Sequence, residues 1–224
     1  MIVLFLKMPR LLSSYLFAYN SLQALGWAIC LFRITSNWAS TKAINGAYAS
    51  AGELICLLQT VAFLEVFHGA IGIVPSGMLL PLMQWGGRAH FLCAIVRRIP
   101  EVQEPPPVFM TFVTWCLIEV IRYPHYALNC LGSSPSILTY LRYTAFIVLY
   151  PLGVIGEMLI MYQALQYIKL ENLYADFFTR LPFTYYNFVR VLLLCYPIMW
   201  LKLYLHLLKQ RQHKLHKQHK SKKT

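Results

Sequence analysis

The chain has 224 residues, of which 58% are hydrophobic and 12% charged, with a mean hydropathy of +0.52. A soluble domain carries about 25% charged residues, so these numbers exclude one, along with a disordered chain, a collagen and a small disulfide scaffold. What remains is an all-α polytopic transmembrane helical bundle, with length for about six spans and short loops.

The net charge of +12 is unevenly spread: Lys209 to Thr224 holds seven Lys or Arg and no acid, and the rest of the chain carries only +5. The basic balance therefore describes a tail rather than a nucleic-acid-binding face. The expected organisation is one membrane-embedded domain over 1–208 and a basic cytosolic tail over 209–224, close to anionic lipid. The apolar run within Met1 to Pro9 is too short for a secretory leader, so the first long apolar run is expected to be a retained span.

That run is Leu11 to Phe32, with Lys7 and Arg10 before it and Arg33 after it. Residues 34 to 46 are small and polar and are expected to be a loop. Ala47 to Val74 is apolar but contains Glu53, Glu65 and His68, and Pro75-Ser76-Gly77 signals a turn. Met78 to Ile99 is a weaker run, expected to be broken at Trp85-Gly86-Gly87-Arg88. Glu101 to Pro107 is a Pro-rich acidic linker, because consecutive prolines cannot continue a helix. Val108 to Leu128 is a strong span holding Glu119 and Arg122. A turn is expected from Gly132 to Ser136. Leu141 to Ile168 is the longest run, with Pro151, Gly153 and Gly156 in its middle, where a kink is expected. Asn172 to Pro182 is an amphipathic connector, and Phe188 to Leu208 is the last span. Six spans place both termini on one side, and the basic tail makes that side cytosolic. No internal repeat is visible, which argues against a transporter gated by Glu119 and Arg122. The six cysteines form no CxxC pair and mostly lie in apolar runs, so they read as small apolar residues rather than metal ligands.

Carboxylates are few: one Asp and seven Glu. Glu65, Glu119 and Glu157 lie well inside apolar runs, where a charge costs about 2.5–3.5 kcal/mol on insertion scales. They must face a protein interior or a wet cavity. Glu119 has Arg122 three residues on, sharing a helix face, with Tyr123 and Tyr126 continuing the stripe. This is either an ion pair that locks helix packing or the wall of a polar pocket. Glu157 has no basic neighbour within a turn. Stepping back by sevens reaches Tyr150 and Tyr143, on one face at a spacing of roughly 10 Å. Such a buried acid suits proton transfer; the alternative is a hydrogen bond between helices without chemistry. Glu65 and His68 are also i,i+3: such a pair could relay a proton or form half a metal site, and a packing hydrogen bond is the plainer reading. No second His/Glu pair at metal-ligand spacing accompanies them, and no nucleotide-binding loop, GxSxG or HExxH is present.

Three stretches resemble the very-long-chain 3-hydroxyacyl-CoA dehydratases, also called protein-tyrosine-phosphatase-like proteins, whose plant members are the PASTICCINO proteins. They are Arg142-Tyr143-Thr144-Ala145-Phe146-Ile147-Val148-Leu149-Tyr150-Pro151-Leu152-Gly153-Val154-Ile155-Gly156-Glu157, then Trp115-Cys116-Leu117-Ile118-Glu119-Val120-Ile121-Arg122-Tyr123, and Leu64-Glu65-Val66-Phe67-His68-Gly69. The likeness runs from about Tyr15 to Trp200, and a YPxGxxxE pattern within a span is specific. The resemblance implies a six-span enzyme of the endoplasmic reticulum membrane, performing the third step of fatty-acid elongation. That step removes water from a (3R)-3-hydroxyacyl-CoA to give the trans-2-enoyl-CoA, with no metal and no cofactor. It puts the catalytic pair at Tyr150 and Glu157. Tyr143, Arg122, Arg142, Glu119 and Tyr123 are candidate substrate-binding residues. The implied partners are membrane lipid and the other elongation enzymes, namely the condensing enzyme, the ketoacyl reductase and the enoyl reductase. A catalytically silent scaffold for that complex is the alternative. The phosphatase-like stretch has His68 where the Cys would stand and Pro75 where the Arg would, which excludes phosphate-ester cleavage by a thiolate there. Lys220 and Lys222 resemble a dilysine retrieval signal for the endoplasmic reticulum.

Overall fold

The computed structural model describes residues 10–74, 77–133 and 135–221, all helix and connecting turn. Pro75, Ser76, Ser134, the residues before Arg10 and Lys222 to Thr224 lie outside the described residues. So parts of two expected turns, the Pro of the phosphatase-like stretch and one lysine of the retrieval pattern lie outside them too.

Among the described residues nine α-helices follow in chain order: α1 Arg10–Thr41, α2 Ala47–Val61, α3 Leu64–Ala70, α4 Leu79–Ala89, α5 Pro106–Cys130, α6 Ser136–Arg142, α7 Phe146–Leu170, α8 Ala175–Phe178 and α9 Tyr185–Ser221. A π-helical stretch, His90–Val96, continues α4 without a break, and a short 3-10 turn covers Pro100–Val102. Among the described residues three helical stretches are long and apolar enough to cross a membrane: Ala47–Ala70, Ser136–Leu170 and Tyr185–Gln212. The expectation of about six spans is therefore met on these grounds for half that number.

Several expected boundaries move. The first helix does not end at Phe32 but runs to Thr41, so most of the expected 34–46 loop is helical. Thr35, Ser40 and Thr41 hydroxyls donate back to carbonyls a turn earlier, which lets small polar residues stay in the helix. The chain then turns at Gly46, whose φ of +79° suits glycine, and its N–H donates to Glu104. The expected break at Trp85-Gly86-Gly87-Arg88 does not occur. Trp85 Nε1 donates to the Gln59 carbonyl at 2.8 Å, anchoring α4 on α2. Tertiary contacts here outweigh the modest helix penalty of two glycines. At the Pro-rich linker, α5 begins on Pro106, where the missing N–H costs nothing. In the long run 141–168 the helix continues through Pro151 and is interrupted instead at Tyr143–Ala145. Tyr143 therefore ends α6 and does not share a continuous helical stripe with Tyr150 and Glu157.

The core is built on α5, which packs between α1 and α7, with α9 laid against α7. Trp27, Ile34, Ile55, Phe91, Phe112, Trp115 and Ile160 are fully buried there. The distribution is that of a protein solvated by hydrocarbon. Asn20, Gln23, Gln59, Glu119 and Glu157 are inside, while Leu22, Phe32, Leu194 and Ile198 are outside.

Gly156 fixes the α5–α7 approach. A Cβ there would lie 2.2 Å from Thr111 Oγ1 and 3.2 Å from the Pro107 carbonyl. Thr111 cannot yield freely, because its hydroxyl donates to that same carbonyl. At Gly153 the nearest atom would be Thr114 Cγ2 at 3.4 Å, an ordinary contact. Gly156→Ala is thus expected to cost about 1–3 kcal/mol and to lower the unfolding midpoint in detergent. Gly153→Ala should leave the midpoint near the wild-type value, and equal midpoints for both variants would refute this account.

Candidate active site

Two buried carboxylate clusters lie side by side, bridged by Arg88. The first grows from α5. Glu119, 1% exposed, faces Arg122 one turn on, with Arg122 Nε 2.8 Å from its Oε2. The expected ion pair is present, but it is part of a larger set. Arg88 from α4 reaches the other oxygen of Glu119 at 2.5 Å. Arg122 also donates to both oxygens of Glu65 on α3, at 2.8 and 3.0 Å. The Tyr123 hydroxyl donates to Glu65 at 2.6 Å, and Tyr19 of α1 donates to it at 3.2 Å. Four helices thus meet on two carboxylates and two guanidiniums, whose charges cancel. Cancelling and hydrogen bonding each charge is what makes burial tolerable.

Glu65 and His68 do not pair with each other. Glu65 turns to Arg122, and His68 shares a hydrogen bond with the Tyr15 hydroxyl at 2.9 Å. The i,i+3 spacing allowed the pair, but a guanidinium is the stronger partner for a carboxylate.

The second cluster is centred on Glu157, 5% exposed on α7. It is not the unpartnered acid expected from its own helix. Trp115 Nε1 of α5 donates to Oε1 at 2.8 Å, and the Tyr196 hydroxyl of α9 donates to Oε2. Tyr150 is half-buried two turns earlier, with its ring against Phe146. Among the described residues no hydrogen bond joins Tyr150 to Glu157. Arg88 links the two clusters: it pairs with Glu119 and lies against Trp115, the residue that holds Glu157. Its guanidinium stacks 4.6 Å over the Trp115 ring. Arg142, at the end of α6, donates to the Tyr126 hydroxyl at 3.1 Å.

Of the residues singled out from the sequence, Glu119, Arg122 and Tyr123 converge on one cluster. Glu157 forms the centre of the other, and Arg142 holds Tyr126. Tyr143 stands apart, with its ring edge-on to His125. Arg88, Trp115, Tyr196 and Tyr19 were not singled out, because each reaches the site from another helix. The one available signal was the cost of an arginine at position 88 within an apolar run. A small open crevice of about 20 Å³ is lined by Glu65, Arg88, Glu119, Arg122 and Tyr123 together with the apolar faces of Trp27 and Trp85. It touches the first cluster and reaches Arg88; Tyr150 and Glu157 do not line it.

This arrangement can be set beside known proteins. Residues 59–217 match the family model described as "Protein tyrosine phosphatase-like protein, PTPLA". The chain is 33% identical over 208 residues to a Homo sapiens protein named very-long-chain (3R)-3-hydroxyacyl-CoA dehydratase 2, covering 90% of this chain and 81% of that one. It is 32% identical over 216 residues to the Mus musculus protein named very-long-chain (3R)-3-hydroxyacyl-CoA dehydratase 1, covering 94% of this chain and 76% of that one. It is likewise 32% identical to the Mus musculus dehydratase 3, covering 92% and 58%. No solved structure matches it. The chain belongs to the protein tyrosine phosphatase-like family.

Proposed function

We propose that this protein is a (3R)-3-hydroxyacyl-CoA dehydratase, a hydro-lyase that forms the trans-2-enoyl-CoA during very-long-chain fatty-acid elongation. The observation that carries the reading is the buried Glu157 carboxylate, held on both oxygens two turns from Tyr150, in a chain one-third identical to proteins named for this reaction. Dehydration needs a base for the proton alpha to the thioester and an acid for the departing 3-hydroxyl. Glu157 receives a hydrogen bond on each oxygen and so presents lone pairs; it is assigned the base. The Tyr150 hydroxyl makes no hydrogen bond among the described residues, so its proton is free to be given; it is assigned the acid. The departing oxygen takes the phenolic proton and leaves as water. The phenolate regains its proton before the next turnover. Neither step calls for a metal or a cofactor.

Glu119, Arg122 and Tyr123, linked to the Glu157 cluster through Arg88, and Arg142 at the end of α6 are the polar groups offered to the CoA-bearing end of the substrate. An acyl chain is itself lipid-like and is at home among membrane helices. Six helical rods (10–41, 47–70, 79–96, 106–130, 136–170 and 185–221) support a six-span reading of one domain over 1–208. With an even number of crossings both ends share a side, and the basic stretch 209–224 makes that side cytosolic. The lysine pattern at 220 and 222 supports residence in the endoplasmic reticulum, beside the condensing enzyme, the ketoacyl reductase and the enoyl reductase.

The test is direct. The purified full chain in detergent is given a very-long-chain (3R)-3-hydroxyacyl-CoA, and enoyl-CoA formation is followed. The native chain is expected to turn over. Tyr150→Phe, which keeps the ring and removes the proton, is expected to be slower by roughly two to four orders of magnitude. A folded native chain that is inert would point to a silent scaffold. A Tyr150→Phe variant at the native rate would remove Tyr150 from the chemistry.

A further inference from the structure

The last helix, α9, is exposed over most of its apolar length; Leu194 is 77% and Ile198 73% exposed. Between them, at position 196, a phenol points the other way and donates its proton to Glu157 Oε2. A second phenol on the same helix, Tyr204, donates at 3.1 Å to the backbone carbonyl of Ile147 on α7. So α9 is tied to α7 by two tyrosines. One holds only the backbone of its neighbour. The other holds a carboxylate to which the dehydratase reading assigns the chemistry.

We propose that Tyr196 is a positioning residue for Glu157: its hydroxyl, with the Trp115 indole on the opposite oxygen, fixes the carboxylate in the orientation that meets the substrate. The inference rests on the dehydratase reading and deepens it. A glutamate has three side-chain torsions, and nothing on its own helix restrains Glu157. Trp115 alone leaves the carboxylate free to pivot about Oε1. A second donor on Oε2, arriving from another helix, removes that freedom. The indole is itself braced, because Arg88 stacks on it at 4.6 Å and is tied to Glu119. Of the two holding donors, Tyr196 therefore carries the restraint that α9 supplies. Pre-set orientation of a reacting group affects the rate of the chemical step rather than the affinity for substrate, and a displacement of about 1 Å can cost about 100-fold.

Four forms of the full chain in detergent decide it: native, Tyr196→Phe, Tyr204→Phe and Glu157→Gln. Each is assayed with a very-long-chain (3R)-3-hydroxyacyl-CoA, and its unfolding midpoint is measured. Tyr196→Phe is expected to lower kcat by about 10- to 100-fold with KM within about twofold of native. Tyr204→Phe removes a comparable inter-helix hydrogen bond and is expected to keep the native kcat. A Tyr196→Phe variant with the kcat of native or Tyr204→Phe protein overturns the proposal, as does one whose loss lies in KM. If Tyr196→Phe does not fold, difluorotyrosine at 196 takes its place. It keeps the ring size and makes the phenol a stronger acid, so kcat is expected to change while KM does not; an unchanged kcat overturns the proposal. An inert native chain, or Glu157→Gln at the native rate, sinks the dehydratase reading or its base. An active native chain with an inactive Glu157→Gln and an unaffected Tyr196→Phe sinks only the role of Tyr196.

Discussion

Glu157→Gln is expected to lower enoyl-CoA formation by roughly two to four orders of magnitude, the usual contribution of a general base, with little change in the unfolding midpoint. The two effects separate because of the partners of this side chain. Trp115 Nε1 can only donate, so the amide oxygen of the glutamine will face it. The amide nitrogen then faces Tyr196, whose hydroxyl rotates to accept where before it donated. Both inter-helix links survive, and the one donor left without an acceptor is the Tyr196 phenolic proton. Arg88 keeps its ion pair with Glu119, so no charge is stranded. What disappears is the basic oxygen. The measurement is the single-turnover rate with a very-long-chain 3-hydroxyacyl-CoA, together with thermal unfolding in detergent. A variant that stays folded and keeps the native rate removes Glu157 from the reaction.

The parts of this site legible in the sequence are those held within one helix. Glu119 and Arg122 are a turn apart on α5, and their pairing follows from helix geometry alone. Burial of Glu157 follows from the apolar run around it. Its partners do not, because Trp115 and Tyr196 stand 42 and 39 residues away and only the packing of three helices joins them. Glu65 shows the converse error. His68 lies at a suitable spacing, yet the fold brings a guanidinium from α5 to Glu65 and a phenol from α1 to His68. Arg88 was hidden by its setting. Two glycines before it read as a helix break, whereas Trp85 and Arg88 anchor that turn on α2 and α5. The helix runs on through Pro151, and the interruption in this run comes at Tyr143–Ala145, where the sequence offers neither proline nor glycine. The α5–α7 contact at Gly156 lies in the very motif that carries the family resemblance, so part of that motif is there for packing.

Arg122→Ala is expected to destabilise the protein by about 3–5 kcal/mol, the usual cost of removing one partner from a buried ion pair. Arg122 serves two carboxylates from different helices, Glu65 on α3 and Glu119 on its own. Its removal leaves Glu65 with only the hydroxyls of Tyr123 and Tyr19, and Glu119 with only Arg88. Two negative charges then face one cation, and Glu119 at least is almost fully withdrawn from water. Arg122→Lys should recover only part of the loss, since a single ammonium cannot reproduce a planar fork that reaches both acids. The Arg97–Glu53 pair is the control. It has bidentate contacts at 3.1 and 2.7 Å, as good as any in the protein, but its side chains are 53% and 62% exposed. Water screens such a pair and solvates each partner when the other is removed. Arg97→Ala is therefore expected to leave the unfolding midpoint unchanged, while Arg122→Ala lowers it and reduces the folded yield. Equal midpoints for the two variants would show that burial does not set the strength of the Arg122 cluster. The crevice beside Arg122 would then have to be wet enough to solvate both acids.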